Sequence, residues 1–221
     1  MSYLIRVLLA DTPGSLGELA QAFGLLGANI QSVDIVEALP DGTVLDDIVV
    51  ELPRDVMADA LITAASDVEG AEVDSIRPFT GRVDRRGQIQ MLARVAKQSH
   101  NLTRAMEELV TVMPLALTSS WAIVLRQTEQ GVTRIAASQA APSDDGSSPA
   151  LTNVEEARIL RPEDEDWIPE SWGLLDSTLA ATPLRGTDLV LIVGRTGGPD
   201  FLANEVTHIG DLGTIVGSLL H

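Results

Sequence analysis

Cysteine is absent from this 221-residue chain, and aromatic residues make up only 3% of it. The absence of cysteine excludes disulfides, thiolate metal sites and cysteine nucleophiles. Because aromatic residues are so few, the cores must be aliphatic, and an interface has few tryptophan or tyrosine side chains with which to bind a partner.

Positive charge is scarce as well. The chain has 15 Lys and Arg residues against 32 Asp and Glu residues, which gives a formal net charge of −17. Nucleic acids and anionic membrane surfaces both bind clusters of Lys and Arg. We therefore expect neither a nucleic acid nor a membrane as a partner.

Long hydrophobic runs are also missing. No apolar stretch approaches the ~18 residues that a membrane-spanning helix needs. The apolar run over residues 3–10 is short and contains Arg6, which does not fit a signal peptide. We expect a cytoplasmic protein.

The charge is unevenly distributed along the chain. Residues 1–80 carry three basic and fourteen acidic side chains, whereas residues 81–113 carry six basic and three acidic ones. We predict a first domain over residues 1–80, a linker over residues 81–87 and a second domain over residues 88–221.

The first domain shows an alternation of strand and helix patterns. The spacing of its apolar residues predicts strands over 3–10, 29–37, 44–52 and 73–79. It predicts one helix from Gly14 to Leu26 and a second that Pro53 opens. The order β-α-β-β-α-β implies a four-stranded sheet with two helices on one face.

The sharpest local feature is the turn at residues 11–16, Asp-Thr-Pro-Gly-Ser-Leu, between the first strand and the first helix. Pro13 fixes one φ angle and Gly14 permits an unusual one, as a tight corner requires. The turn also places backbone N–H groups at a helix N-terminus, where an anion is favoured.

This turn and the segment 27–30, Gly-Ala-Asn-Ile, resemble the corresponding motifs of an ACT domain. The resemblance implies a ferredoxin-like α+β fold that binds an amino acid or a similar ligand, usually at a dimer interface. The ligand-binding residues that it implies are Asp11, Pro13, Gly14, Ser15, Leu16, Asn29 and Ile30. The alternative is that the turn is only a corner and the module only pairs with itself.

Two further patterns favour a homodimer. Two helices on one side cannot shield all the apolar residues of the sheet, of which we assign six to the other face: Leu4, Leu8, Ile30, Val36, Ile48 and Val50. A heptad pattern then predicts a long helix over residues 88–113 that contributes to the dimer contact. The alternative is a helix that packs on its own domain, with a break near residues 98–101.

The second domain begins with this helix and continues as a hairpin, a variable middle, a second hairpin and a closing helix. We predict strands over 120–127, 132–138, 177–183 and 187–194, and a short helix from Asn153 to Leu160. This order resembles a GAF domain, with an antiparallel sheet and flanking helices. GAF domains usually hold their ligand in the variable middle.

Other motifs carry weaker signals. The acidic run at residues 163–166 does not have the spacing of a calcium loop and is interpreted as a solvated loop. The segment 194–198, Gly-Arg-Thr-Gly-Gly, lacks the lysine of a phosphate loop and is interpreted as a plain turn. Trp167 and Trp172 are expected to cover the sheet edge, and the alternative is that they cover a pocket. We predict no catalytic residue, no metal site and no cofactor.

The sequence therefore favours a non-catalytic sensor that binds an amino acid or a similar small ligand through its ACT-like domain, coupled to the GAF-like domain. Two alternatives stay open. One is an interaction subunit that binds no ligand and regulates a partner enzyme, and the other is an enzyme with scattered carboxylates.

Overall fold

In the computed structural model, which describes residues 1–79, 85–146 and 149–220, the chain folds into two units. Unit 1 is Met1–Gly81 and unit 2 is Arg82–His221. Both are built from antiparallel sheets and helices, as the predicted α+β class requires. In the part of the chain that the structure describes, no helix is both long enough and apolar enough to span a bilayer.

Unit 1 has the predicted order of elements. They are β1 (Ser2–Ala10), α1 (Ser15–Leu25), β2 (Asn29–Ala38), β3 (Thr43–Glu51), α2 (Asp59–Ser66) and β4 (Glu72–Pro78). The four strands form one sheet in the order β2-β3-β1-β4, and every neighbouring pair is antiparallel. The second helix begins at Asp59, six residues later than expected, because residues 53–58 form turns after Pro53.

The two helices of unit 1 cover one face of this sheet. Leu19 and Phe23 of α1 and Leu61 of α2 pack against the side chains of β1 and β3 that point to the same side. Ile48 is paired with Ile5 and belongs to this core. The expectation that Ile30, Ile48 and Val50 lie on the unshielded face is therefore wrong, because their register places them with the helix-facing residues.

The opposite face of the sheet carries a buried ion pair instead of a purely apolar surface. Arg6 of β1 is paired in register with Asp47 of β3. Its Nε and Nη2 donate to the two carboxylate oxygens of Asp47 at 2.7 and 2.9 Å. Only 1% of Arg6 and 7% of Asp47 are exposed. Their charges neutralise each other beside Leu4 and Val49 on this face.

Unit 2 is built around a second, larger sheet. Its elements are α3 (Arg85–Lys97), α4 (Leu102–Ala116), β5 (Trp121–Thr128), β6 (Gly131–Ala137), β7 (Arg158–Leu160), a 3₁₀ turn (Glu170–Trp172), β8 (Thr178–Pro183), β9 (Leu189–Arg195) and α5 (Ala203–Leu219). The strand order is β6-β5-β9-β8-β7 and all pairs are antiparallel. Side chains of the three helices pack on one face of this sheet in one core.

The predicted helix over residues 88–113 is two helices. The chain turns at residues 98–101, and the side chain of Asn101 caps α4 by accepting the Arg104 N–H at 3.2 Å. The heptad residues Val95, Met106 and Leu109 are buried in the core of unit 2 itself. The single continuous helix is therefore wrong, because the chain turns at residues 98–101 and the apolar seam packs within the unit. Whether these helices contribute to a dimer contact stays a prediction.

Two other boundaries also differ from the prediction. Residues 81–84 of the predicted linker lie outside the described residues, and its last three residues, Arg85–Gly87, belong to α3. No helix follows Asn153, whose φ is 51°, and Arg158–Leu160 form a short strand at the sheet edge instead. The paired glutamates at 155 and 156, which suggested a helix start, lie exposed in a bend.

The Arg6–Asp47 pair provides the first prediction. Asp47→Ala leaves the Arg6 guanidinium buried without this carboxylate, so the free energy of unfolding of unit 1 should fall by about 3 kcal/mol. Chemical denaturation followed by far-UV circular dichroism measures this loss.

Replacing both residues by apolar ones, Arg6→Met with Asp47→Leu, should lower the free energy of unfolding by less than the single substitution does. Glu108→Ala, which removes the exposed partner of Arg94, should change stability by less than ~0.5 kcal/mol. Equal losses in the single and double variants would contradict this account.

Candidate functional site

The candidate site lies on the face of the unit 2 sheet that the helices leave uncovered. The described residues between β6 and β8, which are 138–146 and 149–177, are here called the covering segment and cross this face with little regular structure. Val154, Ile168 and Trp172 of the covering segment form a second core with Trp121 and Ile123 of β5. All three tryptophans of the chain contribute to this core or pack against it.

The tryptophans contact one another edge to face. The ring centroids of Trp121 and Trp172 are 6.0 Å apart with an interplanar angle of 66°, and those of Trp167 and Trp172 are 6.2 Å apart at 90°. Pairs in this geometry are favourable beyond their buried area. Trp172 contacts Trp121 of β5 and also lies against Arg134 of β6, the strand at the edge of the sheet, which agrees with the expectation that it covers this edge.

The indole ring of Trp121 packs directly against a glycine of the neighbouring strand. Trp121 is paired in register with Gly194 of β9, and a Cβ at position 194 would collide with carbons of its indole ring. The ring therefore occupies the space that any other side chain at position 194 would fill. Gly194 and Arg195 are the end of a strand rather than part of a turn or a phosphate loop.

Arg134 of β6 ties the covering segment to the sheet. Its Nη1 donates to the carbonyl oxygen of Pro142 at 2.7 Å, and its guanidinium lies 5.8 Å from the centroid of the Trp172 ring. Its Nε is 4.0 Å from a carboxylate oxygen of Asp144. This arginine is therefore already engaged by the protein.

The acidic run at residues 163–166 is partly structural. Glu165 accepts both Arg158 Nη groups at 2.6 Å and the Trp167 Nε1–H at 2.8 Å. The hydrogen bonds from Arg158 lower the pKa of Glu165, and the same contact raises the pKa of Arg158. The interpretation as a solvated loop holds for the exposed Glu163, Asp164 and Asp166 and fails for Glu165. Within residues 1–79, 85–146 and 149–220, no three His, Asp or Glu side chains are grouped to hold a metal ion.

A cleft of about 470 Å³ opens between the covering segment and the sheet. We call it the ligand cleft, and its described lining residues are Trp121, Ala140, Pro142, Ser143, Asp144, Asp145, Ser171, Leu174, Leu175, Ser177 and Thr196. A smaller cavity of about 20 Å³, lined by Arg134 and Trp172 among others, shares Asp144 and Asp145 with it. That volume holds about one water molecule.

Two buried polar atoms beside these cavities have no hydrogen-bond partner among the described residues. They are Trp172 Nε1 and Ser171 Oγ. Trp172 is 3% exposed and lines the smaller cavity, whereas Ser171 lines the ligand cleft. A buried donor without a partner costs free energy. Both atoms are themselves shielded from solvent.

The turn predicted from the sequence lies in unit 1 and is exposed. Gly14 has a φ of 109° and precedes α1, which begins at Ser15. The Ser15 N–H donates to the Thr12 carbonyl oxygen at 3.3 Å, and the two side-chain hydroxyls of Thr12 and Ser15 are 2.8 Å apart. The Leu16 N–H donates to no other described residue.

Asn29 and Ile30 lie at the other end of the same sheet. Asn29 begins β2 and is paired with Glu51, which is paired in turn with Ser2 at the start of β1. The turn follows Ala10 at the end of β1, eight residue steps further, which is about 27 Å. A single chain therefore does not bring Asn29 to the turn, and whether these residues bind a ligand stays a prediction.

The sequence analysis missed a buried carboxylate, Asp46 of β3. It is 3% exposed, and its Oδ1 has no hydrogen-bond partner among the described residues. Burial raises its pKa, and the charges of Asp47 and Asp11 add to the effect. The signal was present, since Asp46 is in phase with Val44, Ile48 and Val50, which all face the core.

No family model matches the chain, and no curated protein is similar to it. Among solved structures, it is similar to the GAF domain of a phosphoenolpyruvate-protein phosphotransferase from Acinetobacter, with 14% identity, 60% of this chain and 92% of that chain covered, and a TM-score of 0.44. It is also similar to the GAF domain of a putative sensor histidine kinase from Pseudomonas syringae pv. tomato, with 12% identity and a TM-score of 0.43. That alignment covers 62% of this chain and 88% of that GAF-domain chain. A formyltetrahydrofolate deformylase from Pseudomonas putida KT2440 matches at 8% identity with a TM-score of 0.30. That alignment covers 46% of this chain and 39% of the deformylase chain. These similarities assign the chain to no family.

Asp46 predicts a pH dependence of stability. Because its pKa is raised above the ordinary value of 3.8, the folded state favours the protonated acid. Its contribution to stability is present below pH ~3.8 and is lost as the pH rises through the folded-state pKa. Asp46→Asn should therefore raise the free energy of unfolding at pH 7, and by much less at pH 3.5.

Denaturation of the variant and of the parent chain at several pH values, followed by far-UV circular dichroism, measures this effect. The matched control is Asp74→Asn, which removes an exposed carboxylate from a strand of the same sheet and should not reproduce the pH-dependent gain. A gain that is equal at both pH values would show that the charge of Asp46 is not its cause.

Proposed function

We propose that this chain is a non-catalytic regulatory protein that senses a small molecule, and that the molecule binds in the ligand cleft of unit 2. The observation that carries the proposal is the cleft itself. Its volume lies within the range of ligand sites, and its lining combines apolar side chains with a few polar groups. The aromatic contacts and Arg134 fix the covering segment around it.

The layout of unit 2 supports a GAF-like assignment. Two helices, a hairpin, a loop-rich middle, a second pair of strands and a closing helix follow one another in the expected order. The cleft lies in the middle part, where the resemblance given above places the ligand. We therefore propose that unit 2 is a GAF-like ligand-binding domain.

Unit 1 supports a second candidate function, an ACT-like ferredoxin-like module that binds an amino acid. The specific observation is the exposed turn, where the positive φ of Gly14 lets the chain enter α1 with the Leu16 N–H facing no protein acceptor. Because Asn29 lies at the far end of the sheet, this site needs a second chain. We propose a homodimer for this function, in a protein whose expected location is the cytoplasm.

The cleft proposal is tested by filling the cleft. Ala140 is exposed and lines it, so Ala140→Phe should block a ligand without disturbing a core. A panel of metabolites is added to the parent chain, and the melting temperature and tryptophan fluorescence are recorded. We expect at least one metabolite to change both, and Ala140→Phe to weaken its binding by at least tenfold.

The matched control is Ala137→Phe, an exposed residue at the end of β6 that does not line the cleft. It should leave the response intact. If no metabolite changes the fluorescence, or if the filled variant still responds fully, the ligand cleft is not the site.

The second candidate is tested with the twenty amino acids. Binding at the turn should raise the melting temperature without changing tryptophan fluorescence, since unit 1 contains no tryptophan. Asn29→Ala and Gly14→Val should each abolish the rise, and the protein should be dimeric by light scattering. A rise that survives both substitutions would contradict the site.

A further inference from the structure

We infer that the ligand cleft binds an uncharged aliphatic molecule, such as an alcohol, an amide or a ketone. This inference rests on the proposed function and names the class of ligand for that same site. It is carried by carboxylates that the protein already holds and by two exposed leucines on the rim of the cleft. These are Leu174 and Leu175, here called the rim leucines, and a strained backbone fixes them.

The charged side chains of the cleft are engaged by the protein itself. Among the described lining residues, only Asp144 and Asp145 are charged. Asp144 Oδ1 accepts the Gly146 N–H at 3.0 Å, and its Oδ2 lies 4.0 Å from Arg134 Nε. Asp145 is likewise held by an interaction with the protein. A cationic ligand would therefore have to compete with partners that these carboxylates already have.

An anionic ligand is disfavoured at the same place. The two aspartates of the lining would repel it, and no described lining residue is Lys, Arg or His. Arg134 lines the smaller cavity rather than the cleft, and its guanidinium is directed to the Pro142 carbonyl oxygen and the Trp172 ring. Recruiting it would break contacts that hold the covering segment. The cleft therefore favours a ligand without net charge.

The rim leucines provide the apolar contact for such a ligand. Leu174 and Leu175 are 63% and 79% exposed, although both line the cleft. Ala140 and Pro142 add aliphatic surface to the same lining. Trp121 also lines the cleft, but it is only 2% exposed, so its ring offers little surface for stacking. An aliphatic ligand body would remove the rim leucines from water, which is favourable in proportion to the area buried.

The backbone fixes the rim leucines in their exposed position. Leu175 and Asp176 have φ values of 60° and 52°, in the left-handed region that is costly for a side chain such as leucine. The Gly197 N–H donates to the Leu175 carbonyl oxygen at 3.1 Å, and Ser177 Oγ donates to the Leu174 carbonyl oxygen at 2.6 Å. Because the leucine side chains are mostly exposed, this strain does not serve a core. Strain of this kind is typical of binding sites.

The remaining polar side chains of the lining also suit an uncharged ligand. Apart from the two aspartates they are all hydroxyls, from Ser143, Ser171, Ser177 and Thr196. Ser143 is exposed, and a hydroxyl can rotate to donate a hydrogen bond or to accept one. It can therefore bind the oxygen of an alcohol, an amide or a ketone without a charge on either side.

The test uses two matched series of probes at pH 6.5 with the full chain. Each series keeps one aliphatic body and changes the polar group. The first is 4-methylpentanamide, which is neutral, with 4-methylpentylamine as the cation and 4-methylpentanoate as the anion. The second is cyclohexylmethanol with cyclohexylmethylamine and cyclohexanecarboxylate. Because Trp121 lines the cleft and contacts Trp172, tryptophan fluorescence reports binding there.

We expect the neutral probe of at least one series to bind about tenfold more tightly than its cation and its anion. Leu174→Ser combined with Leu175→Asn should weaken the neutral probe by about tenfold. It should not lower the melting temperature, because both leucines are exposed and asparagine tolerates a positive φ. The matched control is Leu151→Ser, which removes another exposed leucine of the covering segment that does not line the cleft. It should leave the affinity for the neutral probe unchanged.

Equal or tighter binding of the cation or the anion overturns the inference, as does a neutral affinity that survives the double substitution or falls equally in the control. A lower melting temperature of the double variant overturns it too, because the rim leucines would then serve the fold.

The metabolite panel separates this inference from the proposed function. If every probe fails but the panel yields a charged ligand that Ala140→Phe blocks, the inference falls and the proposed function stands. An uncharged metabolite supports the inference if the double substitution weakens its binding, and overturns it otherwise. If neither the probes nor the panel changes the fluorescence, both fall.

Discussion

The structure of unit 2 depends on one constraint, which is that its central strands are apolar on both faces. All residues from Trp121 to Leu125 and from Leu189 to Arg195 are buried, with no alternation of exposed and buried positions. A sheet of this kind must be covered on both sides. Three helices cover one face, and unit 2 has no further α-helix among its described residues with which to cover the other.

The second face is covered by an irregular segment, which has to be fixed by side chains. A chain that is 3% aromatic places all three tryptophans here, and it adds the Arg158–Glu165 ion pair and the hydrogen bond from Arg134 to Pro142. Irregular cover of this kind fills the surface less completely than a packed helix does. The ligand cleft is the gap that remains where the segment leaves the sheet near Leu174 and Leu175.

Regular elements could be predicted from the sequence because each has its own periodicity. The strands other than β7, together with helix α1, lie close to their predicted positions, since local alternation and spacing define them. The break at residues 98–101 was harder, because the apolar spacing continues across it and only the capping of α4 by Asn101 marks the turn. The helix expected after Asn153 does not form, because the residues that follow this favourable cap residue do not provide an apolar helical face.

The faces of a sheet could be predicted less well than its strands. Assigning Ile48 and Val50 to an open face ignored the pairing of β1 with β3, which depends on residues forty positions apart. The same pairing brings Arg6 to Asp47 and leaves Asp46 on the opposite side, among apolar neighbours. The ligand cleft could not be predicted either, because its lining comes from five separate stretches of chain. What the sequence could indicate was the region, since the variable middle holds two of the three tryptophans and most of the irregular chain of unit 2.

Each unit contains a buried arginine that forms an ion pair with a carboxylate. Arg6–Asp47 in unit 1 and Arg195–Glu205 in unit 2 are each paired at hydrogen-bond distance, the latter with Phe201 stacked 4.2 Å from the guanidinium. A carboxylate that is paired with a buried arginine in this way stabilises the fold. At the ligand cleft, Asp144 also has a basic neighbour, since its carboxylate lies 4.0 Å from Arg134 Nε, and this contact helps to hold the covering segment against β6.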